Sequence, residues 1–248
     1  MKAAYGFGVW LLILLSSCSP NKESSTGELP ADNNISRTYY ADGALHKEMV
    51  FKDGSKTGTS REYYRSGQVF QEVHYENNLR EGVARRYYEN GIVNQETPYK
   101  GDKMHGIQKK YRRSGKLMAE IPYFEGNLCK GLKEYTVNGE LKKRYPEIVV
   151  TPIDRILKDG TYTLEFRMSD DSKDGVEFYE GKLTNGQYIG DDAGQIWDTQ
   201  NGVGRLTYRL QRGIFVMEEI SIIAKVKTVQ SNYYITETNY HLAAENRY

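Results

Sequence analysis

The chain has 248 residues with 34 Lys+Arg against 33 Asp+Glu, a formal net charge of +1. That balance excludes a nucleic-acid binder driven by bulk charge, and the length allows one or two domains with a sizeable core. Tyr is unusually abundant, 21 residues against 7 Phe and 2 Trp, and with 24 Gly and 6 Pro this composition points to β structure with many turns.

In chain order, the first element is an export signal. Lys2 supplies a positive start, and Val9 to Leu15 is an unbroken apolar run too short to span a bilayer. Leu15-Ser16-Ser17-Cys18 resembles the lipobox of bacterial lipoproteins. That resemblance implies a signal peptide over 1–17, cleavage before Cys18, and acylation of Cys18. Ser19 follows the cysteine, as in lipoproteins directed to the outer membrane, so the resemblance places the chain in the cell envelope, anchored by lipid. Several acyl chains give stable attachment where one gives marginal binding. Residues 18–38 are polar with two prolines and read as a flexible tether.

From residue 39 a period of 24 sets in. Tyr39, Tyr63, Tyr87, Tyr111 and Tyr135 share it, as do Gly43, Gly67, Gly91, Gly115 and Gly139. Further columns are Leu45, Val69, Val93, Leu117 and Leu141; Glu48, Glu72, Glu96 and Glu120; and Phe51, Tyr75, Tyr99 and Tyr123. Gly58, Gly82 and Gly106 continue the pattern, whereas Gly131 arrives one residue late and suggests a small insertion near Phe124. Each unit reads as a short strand (Thr59 to Tyr64), a tight turn (Arg65-Ser66-Gly67), a second strand (Gln68 to Tyr75) and a looser loop (Glu76 to Gly82). Alternation in the second strand sets Val69, Gln71, Val73 and Tyr75 on one face and Phe70, Glu72 and His74 on the other.

The expected product is an antiparallel meander in which the Glu column lies beside the basic residues Arg61, Arg85, Arg86, Lys109 and Lys110 of the short strands. Glu48, Glu72, Glu96, Glu120, Arg61, Arg85 and Lys109 are the candidate binding face; the same charges could instead serve only to hold a thin sheet together.

These units resemble the bacterial variant of the MORN repeat, over residues 39–145. Tyr99-Lys100-Gly101-Asp102-Lys103-Met104-His105-Gly106 shows the Tyr-Xaa-Gly core of such units most fully. The resemblance implies an all-β, single-layer hairpin array. Bacterial proteins with this repeat are often labelled YwqK-family antitoxins, and MORN arrays elsewhere are linked to membrane-proximal scaffolding.

Beyond Pro146 the period fades. Candidate strands are Thr161–Met168, Val176–Leu183, Gly204–Leu210, Ile214–Ile223 and Tyr233–His241, so residues 146–248 are expected to form a C-terminal β domain on the end of the array, or a divergent cap. Charge is uneven: residues 39–145 hold 20 Lys+Arg and 14 Asp+Glu, residues 146–248 hold 11 and 16. A basic half and an acidic half can dock on each other or on separate partners.

No constellation for chemistry stands out. The four histidines have no metal-ligand spacing, and Asp170–Gly175 resembles a calcium loop that lacks its final acidic ligand. Cys129 has no recognisable base beside it. The sequence therefore predicts no catalysis, cofactor, metal or nucleic-acid partner. The expected role is a lipid-anchored interaction or scaffolding module with a protein partner in the envelope. An antitoxin-like protein with one cognate partner and a spacer without a ligand are the alternatives.

Overall fold

The computed structural model describes residues 34–247. Cys18, the lipobox and most of the tether lie outside the described residues. The architecture is almost entirely β: one 13-stranded antiparallel sheet followed by two four-stranded sheets.

The long strands of the large sheet are β1 (Asn34–Tyr39), β2 (Leu45–Lys52), β3 (Gly58–Tyr63), β4 (Val69–Glu76), β5 (Gly82–Tyr87), β6 (Val93–Lys100), β7 (Gly106–Tyr111) and β8 (Leu117–Phe124). They pair in sequence order, as a meander of hairpins must. The ladder begins at Asn34, inside the stretch read as tether. Each tight turn closes with the glycine N–H donating to the carbonyl three residues back, as Gly67 N–H does to Tyr64 O at 2.9 Å. Gly67 has φ +83°, a conformation that residues with a Cβ adopt at a cost.

Two details differ from the sequence reading. The segment read as a loose loop contains a second tight turn: Asn77 and Asn78 both have positive φ, and Leu79–Arg80 pairs back on Tyr75 and Glu76. Asn tolerates this region because its short side chain bonds locally. No residue is inserted near Phe124 either. Lys133 pairs with Glu120 as Arg85 pairs with Glu72, so the 24-residue register holds. The strand is interrupted at Lys130 because its N–H donates to Gln187 O of the C-terminal region.

Every hairpin also carries a β-bulge. In the second unit Glu62 pairs with Gln71 while Tyr63 pairs with Val69, leaving Phe70 extra. A bulge of this kind flips the alternation beyond it. Val69 therefore shares a face with Glu72 and Tyr87, and Phe70 packs edge-on against Tyr64 at 5.1 Å on the other. The strict alternation expected of this strand holds from Gln71 onward only.

After the array come β9 (Ile148–Arg155), a single helical turn (Ile156–Asp159), β10 (Thr161–Met168), β11 (Val176–Glu180), β12 (Val203–Arg209), β13 (Phe215–Lys227) and β14 (Tyr233–Glu245). β9 was missed in the sequence because Pro152 lies inside it. β9 is the edge of its sheet, the place where a strand tolerates proline. The sheet of β9, β10 and β12 faces the sheet of β11, β13 and β14 across one core. Leu164, Phe166 and Met168 from the first meet Phe178, Ile222 and Leu242 from the second, all with no exposed surface. Phe166 and Phe178 meet edge to face at 5.0 Å.

That core extends into the array. Ala119, Ile121 and Leu132 are buried in the same cluster, so the sandwich covers one face of the last hairpin. The turn between β13 and β14 completes the junction. Thr228 Oγ1 and Asn232 Nδ2 donate to Glu134 Oε1 at 2.5 and 2.9 Å, and Lys110 Nζ donates to Asn232 Oδ1 at 2.8 Å. Lys130 Nζ and Glu237 Oε1 make an ion pair at 2.9 Å across it. The basic array and the acidic C-terminal region thus meet within the chain.

Candidate functional site

Upstream of Ala119, the only apolar side chain of the array that is buried is Val73. A single-layer sheet has no second layer to exclude water, so polar ladders must tie its units together. On one face the seven residues of the predicted binding face stand together. Register places Glu48, Arg61, Glu72, Arg85, Glu96, Lys109 and Glu120 in one row across the strands, with alternating charge.

Glu48, Glu72 and Glu96 are each bonded from both sides, and Glu120 from the following strand alone. Arg37, Arg61 and Arg85 donate Nε to Oε1 of Glu48, Glu72 and Glu96 at 2.7, 2.8 and 3.1 Å, each within its own hairpin. Tyr63, Tyr87, Tyr111 and Tyr135 donate their hydroxyls to Oε2 of Glu48, Glu72, Glu96 and Glu120 of the preceding hairpin, at 2.8–2.9 Å. A donor charge and a donor hydroxyl favour the ionised carboxylate. The Arg37 and Tyr63 bonds lower the Glu48 pKa. Burial raises that of Glu72 and Glu96, but the Arg and Tyr donors outweigh it and the net shift is downward. Conversely, burial and the Glu96 carboxylate push the Tyr111 hydroxyl up to about 12. From Glu48 to Glu96 the row is a closed hydrogen-bonded ladder. Arg86 and Lys110, expected beside it, pair with Gln71 and Gln95 on the opposite face instead.

That opposite face holds a groove of about 340 Å³ over the second and third units. Its floor is Val73, Ala84 and Thr97, and register continues the row beyond its two ends into Ser60 and Gln108. Ser60, Thr97 and Gln108 are buried. Gln95 and Gln108 each donate Nε2 to Thr97 Oγ1, at 2.8 and 3.1 Å. Ser60 Oγ is buried without a hydrogen-bond partner. Along the rim, Lys56 stands over the Tyr75 ring at 5.6 Å and Arg80 over the Tyr99 ring at 4.2 Å. Arg80 also bonds Asp102 Oδ1 at 2.5 Å.

The sequence reading passed over this face. Its legible signal was the polar positions between the Glu columns, Gln71 and Gln95, which repeat at 24 and would be apolar on a sheet packed against a second layer.

Three stretches match the MORN repeat variant: residues 56–77, 80–100 and 104–125. MORN repeats are typically modules of protein or membrane interaction, and the family is generally non-catalytic. The MORN-variant stretches carry the groove and most of the Glu ladder. No curated protein matches the chain. Cys129, just beyond the third MORN-variant stretch, is buried, and burial raises its thiol pKa. A thiol in that state is a poor nucleophile.

Proposed function

We propose that this chain is a non-catalytic interaction module of the cell envelope, held at the membrane through lipid on Cys18, and that its protein partner lies in the groove rather than on the Glu ladder. The observation that carries this reading is the contrast between the two faces. On the ladder face, the carboxylates of Glu48, Glu72 and Glu96 already take an Arg and a Tyr donor each. A ligand there would have to break bonds the sheet depends on. On the groove face, Lys56, Arg80 and Arg86 border the opening against one carboxylate, Asp102, which leaves positive charge in excess. A ligand carrying carboxylates can meet that charge without breaking a bond of the ladder.

The test is photo-crosslinking in the native cells, with a photoreactive residue at Gln71 in the groove or at Gln68 on the ladder face. One stoichiometric partner captured from Gln71 and not from Gln68 supports the groove. Capture from Gln68 alone moves the contact to the ladder face. Capture from neither leaves the spacer reading standing. Cys18→Ser should release the protein from the membrane fraction; a protein that stays bound contradicts the anchor.

A further inference from the structure

We infer that the groove takes an acidic polypeptide segment in the polyproline II conformation, with carboxylates every third residue. This rests on the groove reading above and adds the chemistry and conformation of the occupant.

Charge comes first. The rim presents Lys56, Arg80 and Arg86 against one carboxylate, Asp102. Arg85 also borders the groove, but its Nε donates to Glu96. An acidic ligand is complementary to that excess.

Spacing comes second. The groove repeats its parts. Lys56 over Tyr75 and Arg80 over Tyr99 are equivalent pairs 24 residues apart, and Gln71 and Gln95 accompany them at the same interval. One unit is two strands, so equivalent groups stand about 10 Å apart. A polyproline II helix rises about 9.3 Å in its three-residue turn, which brings every third side chain to the same side at nearly that interval. A β-strand does not match: residues three apart point to opposite sides, and residues four apart are about 13 Å apart.

Backbone chemistry comes third. An α-helix can place side chains about 10 Å apart, at i and i+7, but its backbone groups are bonded internally and its body is about 10–12 Å across. Polyproline II has no internal hydrogen bonds, so its carbonyls are free acceptors. Gln71 lines the groove with its Oε1 turned to Arg86, which leaves its amide Nε2 as a donor there. An extended chain can lower a carbonyl onto it.

The groove also has a defined end. Beyond Gln108 the floor becomes Ala119 and Ile121, which the sandwich buries. Two equivalent subsites therefore remain open, enough for a segment of about six residues and no more than two carboxylates on this spacing.

The experiment is fluorescence anisotropy of the full chain in detergent with fluorescein-labelled (Glu-Pro-Pro)₄. Saturable binding that weakens with salt is expected. Lys56→Glu with Arg86→Glu should weaken it at least about tenfold, and (Glu-Pro-Pro-Pro)₃, with carboxylates about 12 Å apart, should bind about tenfold less well. Gln71→Ala should weaken binding while circular dichroism stays unchanged. Equal affinity for the two peptides, or for the charge-reversed protein, overturns the proposal. So does tighter binding of a helical peptide with Glu seven residues apart. Capture of a partner from Gln71 together with no binding of (Glu-Pro-Pro)₄ would overturn this inference and leave the groove function intact; failure of both would remove the groove function itself.

Discussion

Glu134→Ala should separate the array from the sandwich. Glu134 has no exposed surface, yet it is a carboxylate. Its Oε1 accepts from Thr228 and Asn232, and its Oε2 lies 3.6 Å from Lys142 Nζ. Removing one member of a buried charged cluster leaves the others desolvated and unpaired, which typically costs about 3–5 kcal/mol. Lys142 is 37 % exposed and can turn to water, which places the expected loss near 3 kcal/mol. The assay is urea denaturation followed by hydrogen exchange of peptides from the sandwich strands, and by far-ultraviolet circular dichroism, which reports all strands. In the parent chain the two probes should coincide, because one apolar core joins Ala119 and Ile121 to the sandwich. In the variant the curves should split. Coincident curves with a loss below about 1 kcal/mol would refute the claim that this carboxylate couples the two parts.

Three further outcomes are expected. Array stability should depend on pH: Glu48, Glu72 and Glu96 all have lowered pKa values when folded. The contribution is present in full above the ordinary carboxylate value and is lost as pH falls through the folded values. Unfolding midpoints should be flat from neutral pH to about 5 and fall below it; a midpoint that rises on acidification contradicts the ladder. Glu96→Gln and Tyr111→Phe should be non-additive, with a coupling of about 0.5–1.5 kcal/mol in a double-mutant cycle, since they share one hydrogen bond of 2.8 Å. Additive losses would mean the bond contributes nothing. Gly204→Ala should cost about 1–3 kcal/mol by thermal unfolding, because the added methyl would overlap Phe166 Cε2 and stand 2.9 Å from Phe178 Cδ2, two rings with no exposed surface. A neutral effect would show that the two rings can move apart.

The repeat was legible because its columns are held by chemistry that recurs at one interval. Tyr and Glu recur at 24 because each tyrosine reaches the glutamate of the preceding hairpin, and the register that joins Glu72 to Arg61 and Arg85 follows from the spacing alone. What escaped the sequence is non-periodic or local. The bulge at Phe70 leaves no mark in a column of mixed residues, His46, Phe70, Asn94 and Met118, and it moved Val69 to the ladder face. Arg85 and Arg86 look alike in the sequence, yet one step along a strand sends them to opposite faces. The strand holding Pro152 was hidden because proline reads as a boundary until the strand is known to be an edge. Glu134 resembles any other charged repeat residue until the β13–β14 turn, nearly a hundred residues later, closes over it.

The continuity of register through Lys133 has a consequence for how such a chain can change length. The bond from Tyr hydroxyl to Glu carboxylate and the strand pairing recur at each junction between neighbouring units, so excising or duplicating 24 residues within the array would rejoin equivalent ladders. The C-terminal end cannot slide, since its last hairpin is sealed under the sandwich. The array is therefore a ruler graduated in steps of about 10 Å, fixed at one end, whose reading sets how far the sandwich stands from Asn34.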